Sequence, residues 1–221
     1  MTEAQKRGYA ELSGRWCLPF EQKPLNYTDI FDNTNPVVIE IGFGMGTATA
    51  IIAAENPEIN YIGIEVHTPG VGKLLHEIRE RDLRNVRIIE HDAVEALEYM
   101  IPDNSVAAFH VFFPDPWPKK RHHKRRFMQR PRTDLLASKL CSRDETPQGH
   151  PLGYLYMATD WEPYGISAME ELTATPTLVN SAADVPGGFA PRQEWRPETK
   201  FEMKGLRAER DIWELYFFKE Q

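Results

Sequence analysis

A repeated alternation of short apolar runs with helix-like stretches is the feature that most constrains the fold of this chain. The runs have the length of buried strands, and the stretches between them carry apolar residues at helical spacing. The predicted strands are Val37–Ile41, Asn60–Glu65, Val86–Glu90, Val106–Phe113, Leu152–Ala158 and Ile212–Phe218. The predicted helices are Thr47–Glu55, Val71–Asp82, Ala93–Met100, Arg125–Leu140 (helical from Pro131 onward) and Trp161–Leu172.

The ends of these strands indicate where a ligand would bind. Strands that alternate with helices form right-handed βαβ units, so the sequence predicts an α/β fold with a parallel sheet covered on both faces. Ligands of such sheets bind outside the carboxyl ends of the strands. The residues found there are Gly42, Glu65, Asp92, Asp115 and Asp160.

The composition is that of a globular protein, with 41% hydrophobic and 27% charged residues. No apolar run approaches the ~18 residues that a membrane span needs, and the N-terminus has no signal-peptide core. The two cysteines, Cys17 and Cys141, lie outside any metal-binding spacing, so we expect free thiols and a reducing compartment. We therefore expect a cytoplasmic protein of 221 residues with no membrane partner and no metal site.

One short basic segment contrasts with the acidic total charge. The formal net charge is -7, yet the eight residues from Lys119 to Arg126 contain six Lys or Arg and no acid. Phosphates respond to such a local stripe, because screening limits the interaction to about 8–10 Å at physiological salt. The segment is therefore a candidate nucleic-acid contact, and a solvated charged surface is the alternative.

A glycine-rich turn follows the first strand, with a G-x-G-x-G pattern at Gly42, Gly44 and Gly46. Glycines let the backbone turn tightly and approach a ligand that a Cβ would repel. Glu65 comes at the end of the second strand, where an acid can accept both hydroxyls of an adenosine ribose. The loop and the acid together predict nucleoside binding.

The acids near this loop favour a cationic cofactor. A dinucleotide pyrophosphate prefers the G-x-G-x-x-G spacing and a free helix N-terminus, whereas here Glu40 precedes the first glycine. An additional carboxylate repels pyrophosphate but suits the sulfonium and amino groups of S-adenosylmethionine. Asp92, after the third strand, is placed to accept from an adenine amino group.

Asp115 is the candidate catalytic residue. It lies between Pro114 and Pro116, which stiffen the backbone, and Trp117 follows with a flat face for stacking. A rigid turn without a catalytic role is the alternative for this motif taken alone. His67, His91, His122 and His123 show no metal-ligand pattern.

Six segments together resemble the bacterial tRNA (guanine-N7-)-methyltransferase family, over roughly residues 36 to 218. They are EIGFGMG, GIEVHTPGVGKLL, HDAVEAL, FFPDPWPKKRHHKRR, MATDWEPY and TKFE. The resemblance implies a Rossmann-like, S-adenosylmethionine-dependent methyltransferase fold, with a mostly parallel sheet, an antiparallel C-terminal strand and helices on both faces. It also implies methyl transfer to N7 of a guanine in the variable loop of tRNA. The predicted division is an N-terminal extension over residues 1–35 and a methyltransferase domain over residues 36–221.

The resemblance also implies roles for individual residues. It puts Glu40, Glu65 and Asp92 at the cofactor, with the three glycines beside them, and makes Asp115 the catalytic acid. The implied substrate contacts are Lys119, Asp160, Thr199, Lys200, Phe201 and Glu202. The implied RNA contacts are Arg121, His122, His123, Lys124, Arg125 and Arg126. The implied partner is tRNA, bound by a monomer or homodimer with no protein partner evident.

Two parts of the chain depart from the family pattern. Members commonly carry an Arg-rich segment before a T-x-x-Q element, whereas this chain starts almost at that element, with Thr2 and Gln5. The segment CSRDETPQGHPLG, which begins at Cys141, is longer and more polar than the usual glycine turn. Other classes remain possible from the residues alone: a methyltransferase of another RNA or of a small molecule, an NAD-dependent enzyme, or a non-catalytic RNA-binding protein.

Overall fold

The computed structural model describes residues 3–220, except for the side chains of residues 4, 5, 200, 201, 204 and 206. The helices are α1 Glu3–Trp16, α2 Tyr27–Phe31, α3 Thr47–Glu55, α4 Thr68–Glu80, α5 Ala93–Tyr99, α6 Arg132–Lys139, α7 Glu162–Thr173 and α8 Lys200–Arg207, with a 3-10 helix at Lys120–Arg125. The strands are β1 Val37–Ile41, β2 Asn60–Ile64, β3 Val86–Ile89, β4 Ala108–Phe112, β5 Asp144–Glu145, β6 Pro151–Leu152, β7 Tyr154–Thr159, β8 Leu178–Asn180 and β9 Trp213–Lys219.

Seven of the strands form one twisted layer in the order β3-β2-β1-β4-β7-β9-β8. Strands β3, β2, β1, β4 and β7 pair in parallel, and β9 runs antiparallel to both β7 and β8. Since β9 is reversed, its first residues lie at the edge where β4 and β7 end. This edge therefore receives residues from both the middle and the C-terminal part of the chain.

The central strands are buried on both faces, which explains their unbroken apolar runs. One core lies between the sheet and helices α3 and α4 and includes Leu74 and Tyr156. The other lies against α5, α6 and α7 and includes Phe109 and Leu136. Helices on both faces confirm the α/β class and the mostly parallel sheet predicted from the sequence.

The N-terminal extension covers the outer edge of the sheet. Helix α1 packs against α4, and the N–H of Leu18 donates to the carbonyl of Ile88 in β3 at 2.7 Å. Trp16 is buried, and the Arg87 guanidinium lies 4.8 Å from its ring centre and 4.9 Å from that of Phe31. The edge of β3 is thereby protected from pairing with another chain. The predicted division after residue 35 stays a prediction.

The stretch predicted to be helical past Pro131 forms α6, which begins at Arg132 with Pro131 as its N-cap, so this prediction is confirmed. Other elements differ from the sequence-based expectation. The polar segment after Cys141 folds into a small hairpin of β5 and β6, and β8 adds an edge strand that no pattern indicated. Within residues 3–220, no helix combines the length and the apolar character needed to cross a bilayer.

Candidate active site

The glycine turn after β1 has the tight, positive-φ backbone that its three glycines permit. Gly42, Gly44 and Gly46 all have positive φ, at 69°, 58° and 67°, and Gly46 is the N-cap of α3. A Cβ on Gly42 or Gly44 would meet no atom within 4 Å, whereas one on Gly46 would come 2.7 Å from the Cβ of Leu74. The first two glycines thus face open space that a ligand can enter, and the third allows α3 to pack on α4.

Glu65 fixes this turn from the end of β2. Its Oε2 accepts from the N–H of Gly44 at 2.8 Å, and its Oε1 accepts from the N–H groups of Val66 at 2.8 Å and His67 at 3.0 Å. Both oxygens are therefore anchored by backbone donors. Carboxylate oxygens have further lone pairs, so the group can still accept from a ligand at the mouth of the loop.

Glu40 is part of strand β1, two residues before the first glycine of the loop. It is buried, and its Oε2 accepts from the Thr49 hydroxyl at 2.7 Å. Burial raises the pKa of Glu40 to about 7, because water no longer solvates the charged form. Burial therefore disfavours the charged form of the carboxylate on which the sequence-based argument for a cationic cofactor relies.

Asp92 caps helix α5 at the end of β3. Its Oδ1 accepts from the N–H groups of Val94 at 2.9 Å and Glu95 at 3.2 Å. Its other oxygen, Oδ2, has no partner among the described residues and is free to accept from a ligand. Beside it, the rings of Phe20 and His91 stack with centres 3.8 Å apart.

Backbone strain brackets the Pro-Asp-Pro turn after β4. Phe113 has φ 50° and Trp117 has φ 44°, and positive φ is a genuine outlier for bulky residues. Such strain costs of order 1–3 kcal/mol per residue and clusters at functional sites. Asp115 lies between them, exposed and without a hydrogen-bond or ion-pair partner among the described residues. The turn therefore presents one unpaired carboxylate in a constrained position.

The basic segment continues directly from this turn as a 3-10 helix. Lys119, Arg121, Lys124 and Arg125 are exposed. The Arg125 guanidinium lies 4.8 Å from the ring centre of Trp117. His122 meets the same ring edge-on, at 5.9 Å. The indole of Trp117 thus has one cation over its face. His123 is half-buried, and its Nε2 lies 3.2 Å from Arg126 Nη2.

Arg126 corrects the prediction of an RNA contact at that position. Its side chain is buried, with Nε donating to the carbonyl of Pro116 at 2.9 Å and Nη1 to that of Pro163 at 3.3 Å. Its guanidinium also lies 5.0 Å from the ring centre of Tyr164. Arg126 therefore anchors the turn from inside the protein, since its donors are used by backbone carbonyls.

The remaining predicted substrate residues meet at the ends of β7 and α8. Asp160 accepts from Arg210 Nη1 at 2.8 Å. Thr199 and Glu202 form a capping box for α8, in which the Glu202 N–H donates to Thr199 Oγ1 at 3.1 Å and the Thr199 N–H donates to Glu202 Oε2 at 3.4 Å. The side chains of Lys200 and Phe201 lie outside the described residues.

Glu202 also differs from the expectation of an open substrate contact. It is buried, and its two oxygens accept from Arg196 Nη1 at 2.6 Å and Nη2 at 2.7 Å. The second of these Arg196 nitrogens donates to Glu214 Oε1 at 2.7 Å as well. Sequence reasoning missed Arg196 and Glu214, because neither lies in a recognisable motif; the T-x-x-E spacing alone could have indicated the cap.

Comparison with known proteins identifies the family. A family model described as "Putative methyltransferase" matches residues 34–215. The tRNA (guanine-N(7)-)-methyltransferase of Bordetella pertussis is 46% identical over 217 residues, covering 98% of this chain and 80% of that protein. The protein of the same name from Dechloromonas aromatica is 48% identical over 221 residues, covering 100% and 85%. The chain belongs to the tRNA (guanine-N(7)-)-methyltransferase family.

A solved structure supports the fold of this family member. The 16S rRNA methyltransferase KamB covers 88% of this chain with a TM-score of 0.56, at 16% sequence identity and with 93% of its own chain matched. At that identity the likeness concerns the fold alone. Within residues 3–220 of this tRNA (guanine-N(7)-)-methyltransferase family member, no group of three or more His, Cys, Asp or Glu is arranged to hold a metal ion.

Proposed function

We propose that this protein transfers a methyl group from S-adenosylmethionine to N7 of a guanine in the variable loop of tRNA. The observation that carries the proposal is the unpaired carboxylate of Asp115. It lies in a strained turn that follows β4, at the edge of the sheet where the glycine loop also lies, and the exposed basic segment comes directly after it. The near full-length identity to tRNA (guanine-N(7)-)-methyltransferases supports the reaction and the substrate class.

The residues around the glycine loop fit the cofactor. The open space over Gly42 and Gly44 admits a ligand close to the backbone. Glu65 has lone pairs left for ribose hydroxyls, and the free Oδ2 of Asp92 can accept from the adenine amino group. Glu40, which is buried near the end of β1, contributes through the field of its charge when it is ionised. S-adenosylmethionine supplies the electrophilic methyl group.

Asp115 acts on the charge that the reaction creates. N7 of guanine carries a free lone pair, so no proton has to leave before it attacks, and Asp115 needs no role as a general base. The purine becomes positively charged as the methyl group is transferred. A carboxylate already fixed near that position stabilises the developing charge without reorganisation, an effect typically worth ~10²–10³ in rate.

The basic segment holds the tRNA backbone. Lys119, Arg121, Lys124 and Arg125 are exposed directly after the turn that carries Asp115. Contacts to phosphates fix register and orientation without reading sequence, and in RNA the choice of site then follows from shape and exposed bases. Asp160 and Thr199 flank the same edge of the sheet and complete the proposed substrate side.

The test is to methylate an unmodified tRNA transcript with methyl-labelled S-adenosylmethionine and then cleave the chain at 7-methylguanosine. The expected result is one cleavage in the variable loop, which is absent from a transcript whose variable-loop guanine is replaced by adenine. Label at another nucleotide, or no label at all, contradicts the proposal. The proposal places the enzyme in the cytoplasm as a monomer or homodimer, and sedimentation of the active protein with tRNA measures that stoichiometry.

A further inference from the structure

Arg196 is a fully buried arginine at the substrate edge of the sheet. Its side chain has 0% exposure. It makes the paired contacts to Glu202 described above and a third, at 2.7 Å, to Glu214. The backbone of Arg196 is held as well, because Nη2 of the exposed Arg192 donates to the backbone carbonyl of Arg196 at 2.7 Å. Both the guanidinium and the backbone of Arg196 are thus held.

These contacts join three segments that the chain brings together only through folding. Glu202 belongs to helix α8, and Glu214 is the second residue of β9. On the third side, the Arg196 guanidinium lies 5.7 Å from the ring centre of Phe113. Phe113 is the strained residue that leads into Pro114 and Asp115. One side chain therefore touches the start of the Asp115 turn, the cap of α8 and the reversed strand.

Two carboxylates and two guanidinium groups meet in this cluster, because Arg192 Nε also lies 3.4 Å from Glu202 Oε1. Burial alone would raise the pKa of Glu202, but the hydrogen bonds of Arg196 and the charges of Arg196 and Arg192 outweigh it and lower that pKa below its ordinary value. Burial raises the pKa of Glu214 to about 7. Glu202 thus contacts both arginines, whereas Glu214 contacts Arg196 through one oxygen.

Two polar atoms in the cluster have no partner among the described residues, Arg196 Nε and Glu214 Oε2. A buried polar atom without a hydrogen bond costs stability. Replacing a buried ion network by apolar side chains is often neutral or stabilising. The cluster is therefore a poor way to stabilise the fold, and its location next to the Asp115 turn points to the site.

We propose that Arg196 is a positioning residue for methyl transfer, setting the Asp115 turn against helix α8 through its contacts with Phe113 and Glu202. The inference rests on the proposed function, since it assigns Asp115 to the reacting base. Displacing a reacting group by about 1 Å can cost 10²-fold in rate. Arg196 would therefore control the rate of transfer without touching cofactor or tRNA.

The test compares Arg196→Lys with Arg87→Lys. Lysine keeps the charge but not the paired geometry. Arg87 is a matched control, because it is a partly buried arginine that contacts Trp16 and Phe31 at the opposite edge of the sheet from β8. The measurements are the single-turnover rate at saturating tRNA, the Kd for S-adenosylmethionine and the melting temperature.

We expect Arg196→Lys to lower the single-turnover rate at least about tenfold, with the cofactor Kd changed less than about threefold. Arg87→Lys should lower the melting temperature and leave the rate within about twofold of the parent. A rate for Arg196→Lys within twofold of the parent, or an equal rate loss in Arg87→Lys, overturns the inference.

A second variant keeps the test decisive if Arg196→Lys fails to fold. Phe113→Leu removes the ring beside the guanidinium and leaves the ion pairs intact. We expect Phe113→Leu alone to slow transfer about fivefold. Where Arg196→Lys folds, the double variant should be no slower than Arg196→Lys, because contacts acting through one path are not additive. An unchanged rate in Phe113→Leu, or multiplicative losses in the double variant, overturns the inference. A parent protein that methylates no tRNA overturns the proposed function itself, and the cofactor Kd and melting data show that it is folded.

Discussion

The Glu65 carboxylate accepts a hydrogen bond from the N–H of Gly44 in the glycine loop, at 2.8 Å. The acid at the end of β2 thus holds the loop at the end of β1 in place, in addition to its proposed role toward the ribose. Because the two strands are hydrogen-bonded neighbours, the contact sets the width of the opening in which the cofactor would lie.

Replacing Glu65 by Ala should therefore remove both the ribose acceptor and the brace of the loop. We expect S-adenosylmethionine binding to weaken by roughly 1.5–3 kcal/mol, the range for a hydrogen bond to a charged group. Glu65→Gln should weaken binding too, since its NH2 group would face backbone N–H donors. Calorimetric titration measures the change, with the exposed Glu98→Gln as a control; an unchanged affinity in folded Glu65→Ala would remove Glu65 from the site.

Gly70 should tolerate no side chain, because a Cβ there would lie 1.8 Å from the carbonyl oxygen of Gly44. Gly70→Ala must push the loop away or distort α4, and overpacking of this kind costs about 1–3 kcal/mol or more. Gly14→Ala is the matched control, since its Cβ would meet nothing within 4 Å and alanine favours the helix by about 1 kcal/mol. Thermal unfolding and cofactor titration of both variants check this; equal behaviour of the two would contradict it.

Asp115→Asn should separate chemistry from binding. The amide keeps the shape of the side chain but removes the charge that opposes the positive purine, so single-turnover methyl transfer should fall about 10²-fold or more. Affinities for tRNA and S-adenosylmethionine should stay within a few-fold of the parent. Rapid-quench kinetics with labelled cofactor measures the rate, and a near-parental value would rule out the electrostatic role.

The exposed and the buried basic residues of the segment Lys119–Arg126 should contribute differently to the salt dependence of tRNA binding. Neutralising Arg121, Lys124 and Arg125 together removes up to three phosphate contacts, so the slope of log K against log salt should become shallower by up to roughly two units. Arg126→Gln should lower the melting temperature and leave the slope unchanged, because its donors are used inside the protein. Filter binding at fixed pH provides the slopes; parallel lines for the triple variant and the parent would mean that the segment does not bind RNA.

His110 should make the protein sensitive to mild acid. Burial lowers its pKa to about 3, against about 6.5 in an unfolded chain. Between these values the unfolded state binds a proton that the folded state does not, so stability falls as the pH drops below about 6.5. The contribution to the slope is at most about 1.4 kcal/mol per pH unit.

His110→Gln retains a partner for the Tyr154 hydroxyl, which His110 Nε2 meets at 2.9 Å, and cannot titrate. Its unfolding free energy should therefore fall less steeply than that of the parent between pH 6.5 and pH 4. Urea denaturation across this range measures both curves. Other titrating groups are common to the two proteins, so identical slopes would exclude His110 as the source.

The parts of the fold that follow from local pattern were predictable. The run from Val37 to Ile41 is apolar because the strand is buried on both faces. The acids Glu65 and Asp92 could be placed near the glycine loop because parallel strands end at one edge. Their identification with particular atoms of a cofactor stays a prediction.

The parts that depend on tertiary contacts were not predictable. In the sequence Arg126 is indistinguishable from its basic neighbours, and only the direction of the chain after the 3-10 helix turns it inward. Arg196 follows a Pro- and Gly-rich loop without periodicity, so nothing local shows that it meets Glu202 and Glu214. Strand β8, with three residues, is too short for a pattern of its own.

The position of β9 has a consequence for how the protein folds. This strand comes after every other element in the chain, yet it lies inside the sheet, between β7 and β8. Until it inserts, β7 and β8 expose unpaired edges, which are sites of aggregation. The pairing of β8 with a later strand also demands long-range loop closure, which slows folding. Loss of β9 would therefore expose the edge of β7 and leave β8 without its pairing strand, so we expect aggregation of the truncated protein rather than a weaker enzyme.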